Sequence, residues 1–304
     1  MRRNDTTAGK SSGNRKRLLL LGWTLGTAGL LARPAGLQAQ AALSQSDLYC
    51  AGYFSLRPVE SSLRIQSSED GGFKNEFATG DYVYLNQGQG TVGGPGQQYA
   101  IIRPVKDVNR KEAFAGQRKI LEGLGTLYAE VGRIEVASVH EQSATAKVVM
   151  ACDAIERGDI AVPFQARTAP AFKSQHITDR FAASSGKATG LIAAAKEFDA
   201  WLGEGKIVYL NLGSAQGLQP GSYLRIVREY LGGGNAEFAA ASRQLPADMG
   251  GMGGNRRLTP AEEATLPREV IGEVMVLSVQ DSSATGIITY SRSEAAVGDM
   301  VELE

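Results

Sequence analysis

Residues 80–103 and 205–228 align without a gap at an offset of 125, and ten of the 24 positions are identical. The shared residues are Gly80, Val83, Tyr84, Leu85, Asn86, Gly88, Pro95, Gly96, Ile101 and Arg103, each matched 125 positions further on. A second block, residues 131–159, aligns with 271–299 at an offset of 140, with nine of 29 positions identical. It holds Gly132/Gly272, the Ser143-Ala144-Thr145 and Ser283-Ala284-Thr285 triplets, and the Gly158-Asp159 and Gly298-Asp299 pairs. Chance would match roughly one position in fifteen at ordinary amino-acid frequencies. A chain that repeats itself repeats a folding unit. The expectation is an all-β protein: two tandem duplicated modules, each a small β-barrel or sandwich. Residues 1–41 read as a signal peptide, 46–167 as the first module and 168–304 as the second, with a flexible Gly-rich insertion at 231–266.

The pattern of each block gives its strands. Residues 48–56 (LYCAGYFSL) are aromatic and apolar and predict a first strand, and residues 63–65 a second. Tyr82-Val83-Tyr84-Leu85 alternates, so Val83 and Leu85 share one face. Residues 86–96 are rich in glycine and read as a turn-laden connection, after which 98–103 resumes as a strand. Residues 106–124 are charged and predict a loop with a helical turn. Residues 131–139 and 144–150 predict a hairpin. Residues 190–202 (GLIAAAKEFDAWL) have helical propensity, yet their place in the repeat calls for a strand at 191–194 with a loop after it. Residues 165–172 (QARTAPAF) have the composition of a linker. Turn positions fall at Gly88, Gly96, Gly158 and Asp159, and again at Gly213, Gly221, Gly298 and Asp299. Glycine there supplies unusual backbone angles and aspartate bonds the local backbone.

The formal charge of zero hides an uneven distribution. Residues 1–41 carry seven Lys/Arg and one acid, which leaves 25 basic against 31 acidic side chains in the remainder. An acidic mature chain lacks the basic face that nucleic acid requires. Arg15-Lys16-Arg17, the apolar run 18–31 and Ala39-Gln40-Ala41 follow the order of a secretory signal with its cleavage site. Export, to a periplasm or cell envelope, puts Cys50 and Cys152 in an oxidising compartment. Two cysteines in one exported module are expected to pair; the alternative is two buried thiols.

Candidate chemistry is sparse. Gly88-Gln89-Gly90-Thr91-Val92-Gly93 spells a GxGxxG motif, but a dinucleotide site needs a helix next, and Pro95-Gly96 and a strand follow instead. No nucleotide or other cofactor is therefore expected. The Gly-Asp pairs are lone acids before apolar strands and read as turns rather than metal ligands. Only His140 and His176 are present, too few for a zinc site. A hydrolase reading finds no G-x-S-x-G, and a Cys–His pair would need a free thiol near His140. No catalytic residue is expected. Tyr84 and Tyr209 recur in both blocks and could form a sugar-stacking surface; the plainer reading is a half-buried strand tyrosine in each.

The sequence GDYVYLN at 80–86, GLQPG at 217–221, the VGRIEV and IGEVMV strands with their Ser-Ala-Thr sequels, and the Gly-Asp closes resemble the C-terminal β domain of bacterial flagellar assembly protein T and related LysM-associated envelope proteins. The resemblance covers most of residues 48–304. It implies an envelope β module used in assembly or anchoring, without catalysis, and it is similar to that family also in the pairing of Cys50 with Cys152. No LysM domain accompanies it here. The expected function is a non-catalytic exported envelope scaffold or interaction protein, whose partner is an envelope protein complex or, alternatively, peptidoglycan.

Overall fold

A computed structural model describes residues 43–106, 108, 112–199, 201–228, 259–263 and 265–304. The stretch read as a signal peptide and most of the 231–266 insertion lie outside the described residues. In the first half, the strands are β1 (Tyr53–Ser55), β2 (Ile65–Ser68), β3 (Glu76–Phe77), β4 (Tyr82–Leu85), β5 (Gln98–Pro104), β6 (Thr126–Val139), β7 (Ala144–Ala151), β8 (Ile155–Glu156) and β9 (Ile160–Pro163). Helices α1 (Gln45–Tyr49) and α2 (Gln117–Leu124) precede β1 and β6. The second half contains β10 (Thr189–Ala195), β11 (Trp201–Leu202), β12 (Ile207–Leu210), β13 (Tyr223–Arg228), β14 (Glu269–Val279), β15 (Ala284–Ser291), β16 (Ala295–Ala296) and β17 (Met300–Leu303).

Strands β10-β12-β15-β14-β13-β17 close into a six-stranded antiparallel barrel. The first half runs in the corresponding order, β2-β4-β7-β6-β5-β9. Its two end strands meet at the Arg64–Ile160 bridge, where Ile65 N donates to Asp159 O (2.9 Å) and Ala161 N to Leu63 O (3.0 Å). Registers recur at the sequence offsets. Leu85 faces Ala144 as Leu210 faces Ala284; Ile101 faces Gly132 as Ile226 faces Gly272. The small side ladder repeats too, with Phe77 opposite Ile155 and Leu202 opposite Ala295. Bulges fall at matching places, after Ile101 and Ile226. Each interior is filled by the inward residues of its strands: Ile65, Val83, Leu85, Ile101, Ile134 and Val148 in the first, Ile192, Val208, Leu210, Ile226, Val274 and Ile288 in the second.

The turn residues hold this closure. Gly96 and Gly221 have φ of 87° and 88°, and Gly158 and Gly298 have 92° and 96°, a region where only glycine is unstrained. Gly88 and Gly213 serve differently. A Cβ on Gly88 would stand 2.2 Å from His140 O, and one on Gly213 2.4 Å from Gln280 O, so glycine there admits the neighbouring hairpin rather than a positive φ. Asp159 Oδ2 accepts from Glu156 N (2.7 Å), and Asp299 Oδ2 from Ala296 N (2.8 Å), as expected of a turn aspartate. The sequence reading missed their cations. Arg103 Nε lies 2.7 Å from Asp159, and Arg228 Nη2 lies 2.9 Å from Asp299. The same arginines donate to the carbonyls of Ala154 and Glu294. Arg103 and Arg228 are among the repeated identities, so the signal was present in the alignment.

Some expectations need correction. Residues 48–56 are not one strand. Ser44 caps α1, its Oγ accepting from Asp47 N (3.0 Å) while Asp47 accepts from Ser44 N (2.9 Å). Gly52 at φ 73° then turns the chain, and only Tyr53–Ser55 extends, pairing with β6 at 126–128. The end of the 106–124 stretch forms a two-turn helix, α2 (Gln117–Leu124), whose Leu121 and Leu124 are buried. Residues 165–172 are pinned rather than free: Arg167 pairs with the buried Glu130, and Arg167 N donates to Tyr49 Oη (3.1 Å). Residues 191–194 do form a strand, within β10, because Ala193 and Ala194 pack beneath Phe54 and α2, where only small side chains fit.

Glu302 on β17 is wholly buried. Burial alone would raise its carboxyl, but hydrogen bonds from Ser184, Arg268 and Ser185 outweigh this and hold it at about 2. A carboxyl depressed from an ordinary 4.5 contributes stability above that value and loses it as pH falls toward 2. Glu302→Gln should cost about 3 kcal/mol at neutral pH by leaving Arg268 uncompensated. It should also flatten the acid dependence of stability between those two values, read by urea unfolding at stepped pH.

Candidate interaction surfaces

The disulfide Cys50–Cys152 joins the end of α1 to the end of β7, with Cα atoms 5.5 Å apart and 102 residues between them in sequence. Closing a loop of about 100 residues stabilises on the order of 4–5 kcal/mol in the chain-entropy model. Immediately after it, residues 51–54 run between the two halves: Tyr53 and Phe54 pair with β6 of the first sheet, while the Ala51 and Gly52 carbonyls meet the outer face of the barrel. Tyr209 Oη donates to Ala51 O (2.8 Å), and Thr285 Oγ1 donates to Gly52 O (2.8 Å). Ser283 Oγ reaches toward Phe54 O at 3.5 Å. Gly52 is obligatory here, since a Cβ would stand 2.8 Å from Tyr128 O and 3.0 Å from Tyr209 Oη. Its N–H donates to the buried carboxylate of Glu130 (3.1 Å).

Apolar contacts complete the junction. The Phe54 ring meets Tyr209 edge-on at 5.4 Å, among Leu121, Leu124, Leu127, Ala193 and Ala194. Ala51 packs among Ile207, Met275, Leu277 and Ile287. The fully buried Gln117 amide donates to Ala193 O (2.8 Å), so α2 is anchored by a directional bond as well. Burial pushes the Tyr209 phenol up, which keeps it a neutral donor at any physiological pH. Tyr209 is 2 % exposed, and this removes it from any external sugar-stacking surface. The covered face explains why Ile207-Val208-Tyr209-Leu210 is buried at every position, whereas Tyr82-Val83-Tyr84-Leu85 alternates exposed and buried.

The corresponding face of the first sheet is open. Tyr84, Ser143 and Thr145 stand at the positions of Tyr209, Ser283 and Thr285, in matching registers, and all three reach solvent. Tyr84 is 36 % exposed and Tyr82 lies beside it on the same face. The surroundings differ: Ile207, Met275, Leu277 and Ile287 correspond to Tyr82, Glu135, Ala137 and Lys147. His140 Nε2 sits 3.0 Å from Thr145 Oγ1 and 3.3 Å from Ser138 Oγ. The surface is thus polar and solvent-accessible, with hydroxyls at the matching positions. Cys50 and Cys152 are bonded to each other, so no Cys–His nucleophile arises near His140.

Among the described residues, no helix is long and apolar enough to cross a membrane, and no cluster of three or more His, Cys, Asp or Glu side chains could hold a metal ion. The role of residues 51–54 was not evident from the sequence, although an unbroken apolar run at 207–210 is a known mark of a strand covered on both faces. No protein-family model matches the chain, and no curated protein does so either.

If Tyr209 and Phe54 hold the two halves together, Tyr209→Phe should cost about 1–2 kcal/mol, and Phe54→Ala about 3–5 kcal/mol. Tyr84→Phe should leave stability within about 0.5 kcal/mol, as for other exposed sites. Urea unfolding of the three variants checks this ordering.

Proposed function

We propose that the chain is an exported, non-catalytic envelope scaffold built by tandem duplication of one β module, and that it binds partners through the open face of its first module. The observation that carries the reading is the retained hydroxyl set. Tyr209, Thr285 and Ser283 hold the backbone carbonyls of residues 51–54 on the second module, and Tyr84, Thr145 and Ser143 repeat the set where no chain segment is held. Their occupant is a polypeptide segment of an envelope protein, received by its carbonyl groups as residues 51–54 are. The secretion-like N-terminus and the disulfide support export. The resemblance to flagellar assembly protein T and LysM-associated proteins agrees with an assembly role. A second reading, peptidoglycan binding, draws on the exposed Tyr82 and Tyr84 side by side on one face.

A labelled peptide of residues 48–56 with serine for Cys50 mimics the occupant. It should bind the full chain in fluorescence anisotropy, and Tyr84→Phe with Thr145→Val should weaken it at least fivefold. Binding unaffected by that pair, or no binding at all, contradicts the polypeptide reading. Cosedimentation with purified peptidoglycan that is lost in Tyr84→Ala would favour the glycan instead.

A further inference from the structure

A cavity of about 800 Å³ opens between the first sheet and the barrel, walled by β5, β6 and β9 on one side and by Pro220 and residues 277–280 on the other. That volume lies within the usual range for small-ligand sites. Its chemistry is set by Arg57, Arg133 and Arg167 together with Tyr49, Tyr53 and Phe164. The Arg133 guanidinium carbon sits 4.6 Å from the Phe164 ring centroid and 5.4 Å from that of Tyr49. Its Nε is buried without a hydrogen-bond partner.

The charges in this cavity do not balance. Glu130 is the acid within it, and it is already engaged by Arg167, through Nη1 at 3.2 Å and a shorter contact from Nη2, and by Gly52 N. Arg167 further donates to Leu48 O (2.8 Å). Among the described residues, neither Arg133 nor Arg57 forms an ion pair. The barrel supplies an internal contrast. The position of Arg133 is taken there by Glu273, fully buried and met by Lys173 Nζ (2.8 Å), His176 Nδ1 (2.8 Å) and Ile177 N, all from a segment of the same chain. The same place on the wall therefore holds a complete ion pair in the second half and half of one in the first.

We infer that this cavity binds a peptide by its free C-terminal carboxylate, with Arg133 as the principal partner and Arg57 as a second cation. Arg133 packs over the adjoining Phe164 and Tyr49 rings, whose centroids lie 5.2 Å apart, and its unpaired guanidinium suits the in-plane, two-point contact that a carboxylate makes. Pro58, Val59 and Pro163 give the walls an apolar character suited to peptide side chains. Ser55, Gln165, Thr168, Ser278 and Gln280 also line the cavity and can bond the backbone of a peptide. This site is separate from the Tyr84 face, and its test does not depend on that reading.

The probe is a pool of acetylated tripeptides with randomised last two residues, offered to the full chain as free acids or as C-terminal amides, with binding read by ligand-observed NMR. The free acids should bind and the amides should bind at least tenfold more weakly. Arg133→Met should remove the difference between the two pools while circular dichroism stays unchanged. Should that variant fail to fold, Arg57→Gln, at an exposed position, should still narrow the difference at least threefold. Equal binding of acids and amides, absence of binding by both pools, or binding by glucuronic acid in their place would overturn the proposal.

Discussion

Hydrogen bonds from Tyr209 and Thr285 to the carbonyls of Ala51 and Gly52 are the contacts on which the arrangement of the whole structure depends. Each contributes on the order of 1 kcal/mol net, but their removal would leave the carbonyls of the buried Ala51 and Gly52 without these partners. Phe54 adds its apolar area and its edge-on contact with Tyr209. The disulfide one residue upstream fixes where this segment starts, so little conformational freedom is lost when it docks. The result is that the first sheet and the barrel, among the described residues, pack as one unit.

The docked segment makes two near-equivalent faces differ. On the barrel, Ile207, Met275, Leu277 and Ile287 surround the three hydroxyls and are shut away from water. On the first sheet, Tyr82, Glu135, Ala137 and Lys147 occupy those positions and remain accessible. The polar residues suit an exposed surface, and what the two faces share is the Tyr-Ser-Thr set. The shared hydroxyl set amid different neighbours is the basis for proposing a binding role for that face. A second asymmetry, Arg133 against Glu273, points to a different site by the same comparison.

Much of the strand pattern was legible from the repeat alone. Residues 82–85 and 98–103 carry their own alternation or β-branched content, and the offset transferred the assignment to 207–210 and 223–228. It also overruled helical propensity at 190–202, because Ala193 and Ala194 answer to close packing rather than to a helix. Where local chemistry competed with composition, reading composition misled. Ser44 and Asp47 form a capping box that turns an aromatic, apolar stretch into the end of a helix. Gly88 was read as a conformational glycine and is a steric one. The burial of Tyr209 was illegible for a general reason: it depends on a segment 158 residues away in sequence, and no local pattern encodes that contact.

Tyrosine nitration by tetranitromethane, mapped by mass spectrometry on the native oxidised chain, addresses the central claim directly. Tyr84 and Tyr209 occupy matching positions and would react alike if the two halves were independent. With residues 51–54 docked on the barrel, Tyr84 is modified and Tyr209 is protected until the chain unfolds. Equal modification of both tyrosines in the native protein would show that the segment does not cover the barrel face.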